Sequence, residues 1–188
     1  MLHKPSDRQL RRWILETVLS DSWQSYCNFV RHVCVQSCVG CTTSSSTIKA
    51  TAVPCTWNRV SYVASRAARG HTVAAGRVNG LLRKEPTWGD PVKIATIINA
   101  LNPSNKAVLL NHFSGGLFGP KHCQVVRNAT AHKNTQTKTE VLALAASYSA
   151  NPIRYPTDAM FWVDPPSGKF AFLSWLDDMR AIATGVAA

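Results

Sequence analysis

The chain has 188 residues, 45% of them hydrophobic, and a net charge of +11. This is enough for one domain with a real core, and no run of eighteen apolar residues offers a membrane span. The N-terminus "MLHKPSDRQLRRW" is basic, but Glu16, Ser20 and Asp21 break the apolar run that follows, so no signal peptide is read and a cytoplasmic place is expected.

In chain order, residues 8–39 read as one long helix. Trp13, Ile14, Thr17, Val18, Trp23, Tyr26, Cys27, Val30, Val33 and Cys34 recur at three- and four-residue steps, and Gly40 is a good stop. The Ser/Thr-rich "CTTSSSTIKATAVP" reads as a loose linker. A second helix starts at Thr56, with Trp57, Val60, Val63, Ala64 and Ala67 on one face; it weakens at Gly70 and resumes towards Val78. "NGLLRKEPTWG" reads as a loop. Asp90-Pro91 then supplies an N-cap with proline at the first helical position, opening a helix to Leu101. "NPSNKAVLLNHF" holds a short helix, and another begins near Pro120, where Cys123, Val125, Val126 and Ala129 suit a core. Thr137 with Glu140 forms a capping box before "VLALAASYSA", so the chain either runs through or bends at "NTQ". "NPIRYP" ends that helix. "MFWV", "DPPSG" and "KFAF" read as a small hairpin, and "LSWLDDMRAIAT" as a final helix. The expected fold is an all-α up-and-down bundle of four or five helices in a single domain 1–188, with a small C-terminal β-hairpin.

Cys27, Cys34, Cys38, Cys41, Cys55 and Cys123 read as free thiols, mostly buried. The spacing of Cys34, Cys38 and Cys41, C-x3-C-x2-C, resembles the cluster motif of radical S-adenosylmethionine enzymes. Here two of the three lie on a helix, and the chain is too short for the barrel those enzymes need. A zinc site completed by Cys27 or His32 is the other metal reading. Core and loop cysteines are preferred, and neither metal nor cofactor is expected.

The charge is unevenly spread. Between Asp21 and Glu85 no acidic residue occurs, while Arg31, Lys49, Arg59, Arg66, Arg69, Arg77, Arg83 and Lys84 do. From Asp90 to Glu140 the same holds around Lys93, Lys106, Lys121, Arg127, Lys133 and Lys138. Such a field suits a polyanion, most simply nucleic acid. An anionic membrane surface is disfavoured, because no basic amphipathic helix stands out.

Within the second stretch lies "RNATAH", Arg127 to His132. The Arg-to-His spacing recurs in "RAARGH", Arg66 to His71, where Gly70 interrupts the helix. In "RNATAH" every intervening residue tolerates a helix, Asn128 and His132 share a face at i and i+4, and the long Arg127 stem reaches towards that face. A histidine near neutral pKa can move a proton, and a guanidinium can hold a phosphate and stabilise transition-state charge. No carboxylate cluster accompanies them, which disfavours magnesium-dependent cleavage; metal-free cleavage needs an internal nucleophile, and the RNA 2′-hydroxyl is one.

"RNATAH" resembles the R-x4-6-H signature of HEPN domains, including the polar residue just after the Arg. The resemblance rests on this short run, the all-helical reading and the positive charge. HEPN domains are compact helical bundles that pair their Arg–His helices across a dimer cleft, and many are metal-independent endoribonucleases of toxin–antitoxin and antiviral defence systems. The resemblance implies catalytic roles for Arg127 and His132, with Asn128 supporting, in a homodimer acting on RNA, with an antitoxin or other regulatory protein as a further partner. It is not carried to Arg66 or His71. Lys121, Lys133 and Trp88 are the expected substrate contacts, and His112 and His122 flank the glycine-rich turn before the motif. The alternative is a non-catalytic basic module that binds RNA, nucleotide or an acidic protein.

Overall fold

A computed structural model describes residues 6–51, 56–78, 84–114 and 116–188. Cys55 and residues 79–83, the "NGLLR" that opens the expected loop, lie outside them. The described chain is mainly helical, as the periodicity predicts. In order it forms α1 (Asp7–Val39), β1 (Cys41–Thr42), β2 (Thr47–Ile48), α2 (Trp57–Ala67), α3 (Pro91–Leu101), α4 (Lys106–Phe113), α5 (Gly119–Ala131), α6 (Thr135–Leu144) and α7 (Ala171–Ala187). Among the described residues no helix is long and apolar enough to cross a membrane. The residues fall into two compact units, one of 1–25 and 118–179, the other of 26–117 and 180–188.

In the second unit, α1 buries Tyr26, Cys27, Val30, Cys34, Val35 and Cys38, a stripe at three- and four-residue steps. Cys34 and Cys38 are therefore core residues. Burial pushes the Cys34 thiol up to about 12, so it stays protonated and inert. Among the described residues no group of three His, Cys, Asp or Glu stands where it could hold a metal ion.

The Ser/Thr segment after α1 is not a loose linker in its first half. Gly40 turns with φ +94°, and Cys41 pairs with Ile48 and Thr42 with Thr47 in an antiparallel ladder. Ile48 buries there, and the Ser45 N–H reaches the Ala188 carbonyl at 3.0 Å.

Thr56 caps α2 by accepting from the Arg59 N–H at 3.2 Å. The helix ends at Ala67, and Gly70 sits at φ +68°. It does not resume towards Val78. The carbonyls of Ala74 and Arg77 accept from the Arg59 guanidinium instead, and that of Thr72 from Arg66. Two long side chains thus replace the backbone ladder the sequence pattern promises. α3 begins at the Asp90 cap, packs on α2 and α4, and buries Ile94, Ile97 and Ile98. Each such side chain contributes roughly 1.5–3 kcal/mol by leaving water.

Glu85 ties this unit together. Its carboxylate takes two hydrogen bonds from Arg31, at 2.7 and 2.8 Å, one from Trp88 Nε1 at 2.8 Å and one from the Ser61 hydroxyl. Trp88, expected as a base-stacking contact, is only 5% exposed. The indole turns inward because Glu85 satisfies its N–H, so it is a core residue and not a surface platform.

In the first unit, α1 buries Leu19 and Trp23 but leaves Trp13, Ile14 and Val18 exposed, contrary to the expected stripe. The core continues with Cys123, Val126 and Ala129 of α5, Val141 of α6, and Ala159, Met160, Trp162, Ala171, Trp175 and Met179. α6 passes into a single 3-10 turn at Ala145–Ser147, and "RYPTDAMF" forms another at Pro156–Phe161 that packs on α5. The C-terminal hairpin is reduced to isolated bridges of Val163 with Ser149 and with Phe170. Met160 and Phe161 lie in the 3-10 turn, and Ala171 already opens α7.

α5 starts where two backbones nearly touch. A Cβ on Gly119 would lie 2.7 Å from Trp175 Cα and 2.8 Å from the Trp175 carbonyl oxygen. The Gly119 N–H donates to Asp178 Oδ2 at 2.8 Å.

Two stability effects follow. Gly119→Ala should destabilise the protein by about 1–3 kcal/mol, because the clash is with backbone and cannot relax by a rotamer change; a lowered urea midpoint at unchanged circular dichroism checks it. Burial raises the Glu85 pKa, but the bonds from Arg31, Ser61 and Trp88 outweigh this and hold it below the ordinary carboxylate value. The stabilisation is therefore complete above about pH 4.3 and lost as pH falls through the folded-state value. Urea titrations between pH 7 and pH 3 should show Glu85→Gln less stable than the native protein at pH 7, with the gap closing towards acid.

Candidate functional site at the corner of α5 and α6

Arg127 and Asn128 lie in the last turn of α5, half-buried, beside the fully buried Val126 and Ala129. His132 is not within the helix, as the uninterrupted pattern suggests. It caps it, with φ −122° and ψ 78°. Its backbone is nonetheless held firmly. The N–H donates to the Asn128 carbonyl at 2.8 Å, and its carbonyl accepts from the Asn134 N–H at 2.9 Å and the Thr137 hydroxyl at 2.5 Å. The imidazole is exposed. The corner thus fixes the main chain of His132 while leaving its side chain in solvent.

The second cap differs from the predicted one. Asn134, not Thr137, is the N-cap of α6; its side chain accepts from the Thr137 N–H at 2.9 Å, and the Thr137 hydroxyl oxygen accepts from the Asn134 N–H at 3.4 Å. Glu140 accepts instead from Gln136 at 3.1 Å. The bend at "NTQ" is therefore real, because Asn134 satisfies the first free N–H groups better than a continued helix would with its Asn and Thr side chains.

No hydrogen bond or ion pair joins the side chains of Arg127, Asn128 and His132 among the described residues. The backbone bond keeps Asn128 and His132 one turn apart, so the three share the end of α5 without forming a preassembled triad. Lys133, the next residue, is exposed; Lys121 is exposed two turns upstream, its amine 3.4 Å from Gln124 Oε1.

Beside this corner opens a cavity of about 490 Å³. Arg12 of α1, Lys133, Lys138 of α6 and Arg154 line it, with no carboxylate among its lining residues. Ala129, Val141, Ile153, Pro156 and Tyr155 supply apolar wall. Arg12 is engaged by Glu16 at 2.8 Å and lies over the Tyr155 ring at 4.8 Å. Asp158 takes the backbone N–H groups of Arg154 and Tyr155 at 2.8 and 2.9 Å, which fixes the rim. Of the residues proposed from sequence, Lys133 alone reaches this cavity. Arg12, Lys138, Arg154 and Tyr155 were missed, because Arg12 lies more than a hundred positions away in sequence and "NPIRYP" carries only a stop signal for a helix.

A second polar cluster sits at the other end of α5. Trp175 Nε1–H donates to the Tyr148 oxygen at 2.7 Å, and His122 Nδ1 lies 2.6 Å from the same oxygen. An indole can only donate, so the phenol hydrogen is left for His122 Nδ1, and the neutral ring carries its proton on Nε2. Burial lowers the His122 pKa, opposed by the charge of Asp178, and burial raises those of Tyr148 and Asp178. Phe118 stacks on His122 with centroids 5.9 Å apart. His122 is thus a tie between α5, Tyr148 and α7, and it does not line the cavity. His112, in the other unit, packs so closely on Gly185 that a Cβ there would lie 2.3 Å from its ring.

No family model, no curated protein and no solved structure matches this chain.

Tyr148→Phe should leave the buried Trp175 N–H and His122 Nδ1 without a partner, at a cost of about 1–3 kcal/mol. A urea midpoint shifted down by that amount, with α-helical content unchanged, is the expected result.

Proposed function

We propose that the protein is a metal-independent endoribonuclease of the HEPN type, with its chemistry at the end of α5. The observation that carries this reading is the placement of His132. Its backbone is pinned on both sides, its imidazole is free, Arg127 and Asn128 stand one turn back, and Lys133 continues directly into a cationic cavity. RNA backbone entering that field is drawn by its phosphates.

In this reading Arg127 binds the scissile phosphate and stabilises the charge that develops on it. His132 exchanges the proton, taking it from the 2′-hydroxyl or giving it to the leaving 5′-oxygen. The 2′-oxygen bonds to phosphorus as the bond to the 5′-oxygen breaks, so the products carry 2′,3′-cyclic phosphate and 5′-hydroxyl ends. Asn128 orients the imidazole or the substrate. One histidine serves one of the two proton transfers; a second copy of the corner, brought by a homodimer, supplies the other. The setting is that of a toxin or antiviral effector in the cytoplasm, restrained by an acidic regulatory protein.

A second reading is favoured by one observation, that the side chains of Arg127, Asn128 and His132 share no hydrogen bond among the described residues and stand outside the cavity lining. In it the basic corner binds RNA, a nucleotide or an acidic protein without cleaving anything.

Cleavage of a panel of RNAs in EDTA separates the two. The ribonuclease reading expects His132→Ala to lower the rate by about 10²–10⁴-fold, with Arg127→Ala also impaired and circular dichroism unchanged. Equal cleavage by wild type and His132→Ala, or binding that falls steeply with salt and no cleavage at all, overturns it in favour of the second.

A further inference from the structure

The cavity beside the corner has a chemistry of its own. Its cations divide into two sorts. Arg12 is neutralised by Glu16 and committed to the Tyr155 ring. Lys133, Lys138 and Arg154 have no carboxylate partner among the described residues, and all three are exposed. Beside the rim, Asp158 accepts from the backbone N–H groups of Arg154 and Tyr155. Three like charges around one cavity repel, and an anion relieves that repulsion.

The rest of the lining says which anion. A bare phosphate or a chloride gains nothing from apolar wall, yet Val141 is fully buried behind this cavity and Ala129, Ile153, Pro156 and Tyr155 continue it. The Arg12–Tyr155 stack puts a guanidinium-backed ring on the wall, a surface against which a planar base packs. The volume of about 490 Å³ falls within the range of small-molecule sites, about 300–1,000 Å³. The cap is already used: Asn134 takes the Thr137 N–H, so the site rests on side-chain charge and not on the α6 terminus.

We propose that this cavity is a nucleotide pocket, in which Lys133, Lys138 and Arg154 hold the phosphate and the wall around Tyr155 takes the base. Two sources share that chemistry. One is a nucleotide unit of an RNA strand, in which case the pocket deepens the ribonuclease reading and rests on it, placing the strand against His132. The other is a free nucleoside phosphate, which needs no cleavage chemistry.

Titration calorimetry on the full chain, with AMP, adenosine and inorganic phosphate as probes, tests the pocket. AMP should bind at least about tenfold more tightly than either fragment, since each lacks one half of the recognition. Lys138→Ala and Arg154→Ala, both truncations of exposed side chains, should each weaken AMP by about tenfold with the circular dichroism unchanged. A short 2′-O-methyl RNA, which cannot be cleaved, displaces AMP if the source is an RNA strand; failure to displace it assigns the pocket to a free nucleotide. No AMP binding, adenosine binding as well as AMP, or variants with unaltered affinity overturns the proposal. If AMP binds as expected while no RNA is cleaved, the ribonuclease reading fails and the pocket stands. If RNA is cleaved and AMP is not bound, the reverse holds.

Discussion

The missing side chain at residue 119 is the constraint on which the candidate site depends. With no Cβ there, the first turn of α5 lies directly on the backbone of α7 at Trp175, and the Gly119 N–H finds the Asp178 carboxylate. That contact sets where α5 begins. Thirteen residues later the helix ends at a corner whose position is inherited from it. Trp175, held there, donates to Tyr148, and Tyr148 holds His122 one turn into α5. The start of the helix is therefore clamped by a close backbone approach and a buried hydrogen-bond chain, and the end is free to carry exposed polar groups.

At the corner itself, order in the backbone and freedom in the side chains coexist. The backbone groups of His132 are satisfied within the turn, and Asn134 with Thr137 closes the cap of α6. Polar groups that satisfy one another leave the neighbouring charges unclaimed. Lys133, Lys138 and Arg154 keep their charge for something outside the chain because the carboxylates near them, Glu16 and Asp158, are spent on Arg12 and on backbone N–H groups. Glu85 has the same role in the other unit, where it consumes the Arg31 charge and draws Trp88 inward. Glu16, Glu85 and Asp158 are thus taken up within the fold, and positive charge is left over around them.

Local signals in the sequence read well where they are local in cause. The Asp90-Pro91 start, the helix start at Thr56, the Gly40 stop and the apolar repeat of α1 from Trp23 to Cys34 appear where expected, because each depends on groups within one or two turns. The misreadings share a different cause. Trp88 looks like a surface aromatic until Glu85, three residues before it, takes its N–H, and that carboxylate is itself held by Arg31 and Ser61 from distant positions. The segment after Gly70 has helical spacing, but Arg59 and Arg66 bind its carbonyls. Trp13, Ile14 and Val18 belong to the stripe of α1 by periodicity and still stand exposed, since periodicity shows a face and not what covers it. "RNATAH" was legible as polar groups one turn apart; the cationic cavity beside it was not, because Arg12 and Arg154 carry no motif.

The sequence by itself determined the helical class, the surplus of positive charge and the run Arg127–His132, since composition and short-range periodicity are properties of the chain alone. Only the tertiary structure decided that Trp88 is core, and that Lys133, Lys138, Arg154 and Tyr155 share one cavity. The physical reason is competition. Which carboxylate takes which cation, and which N–H a side chain satisfies, depends on groups far apart in sequence, and the charges left over after that competition are the ones open to a ligand.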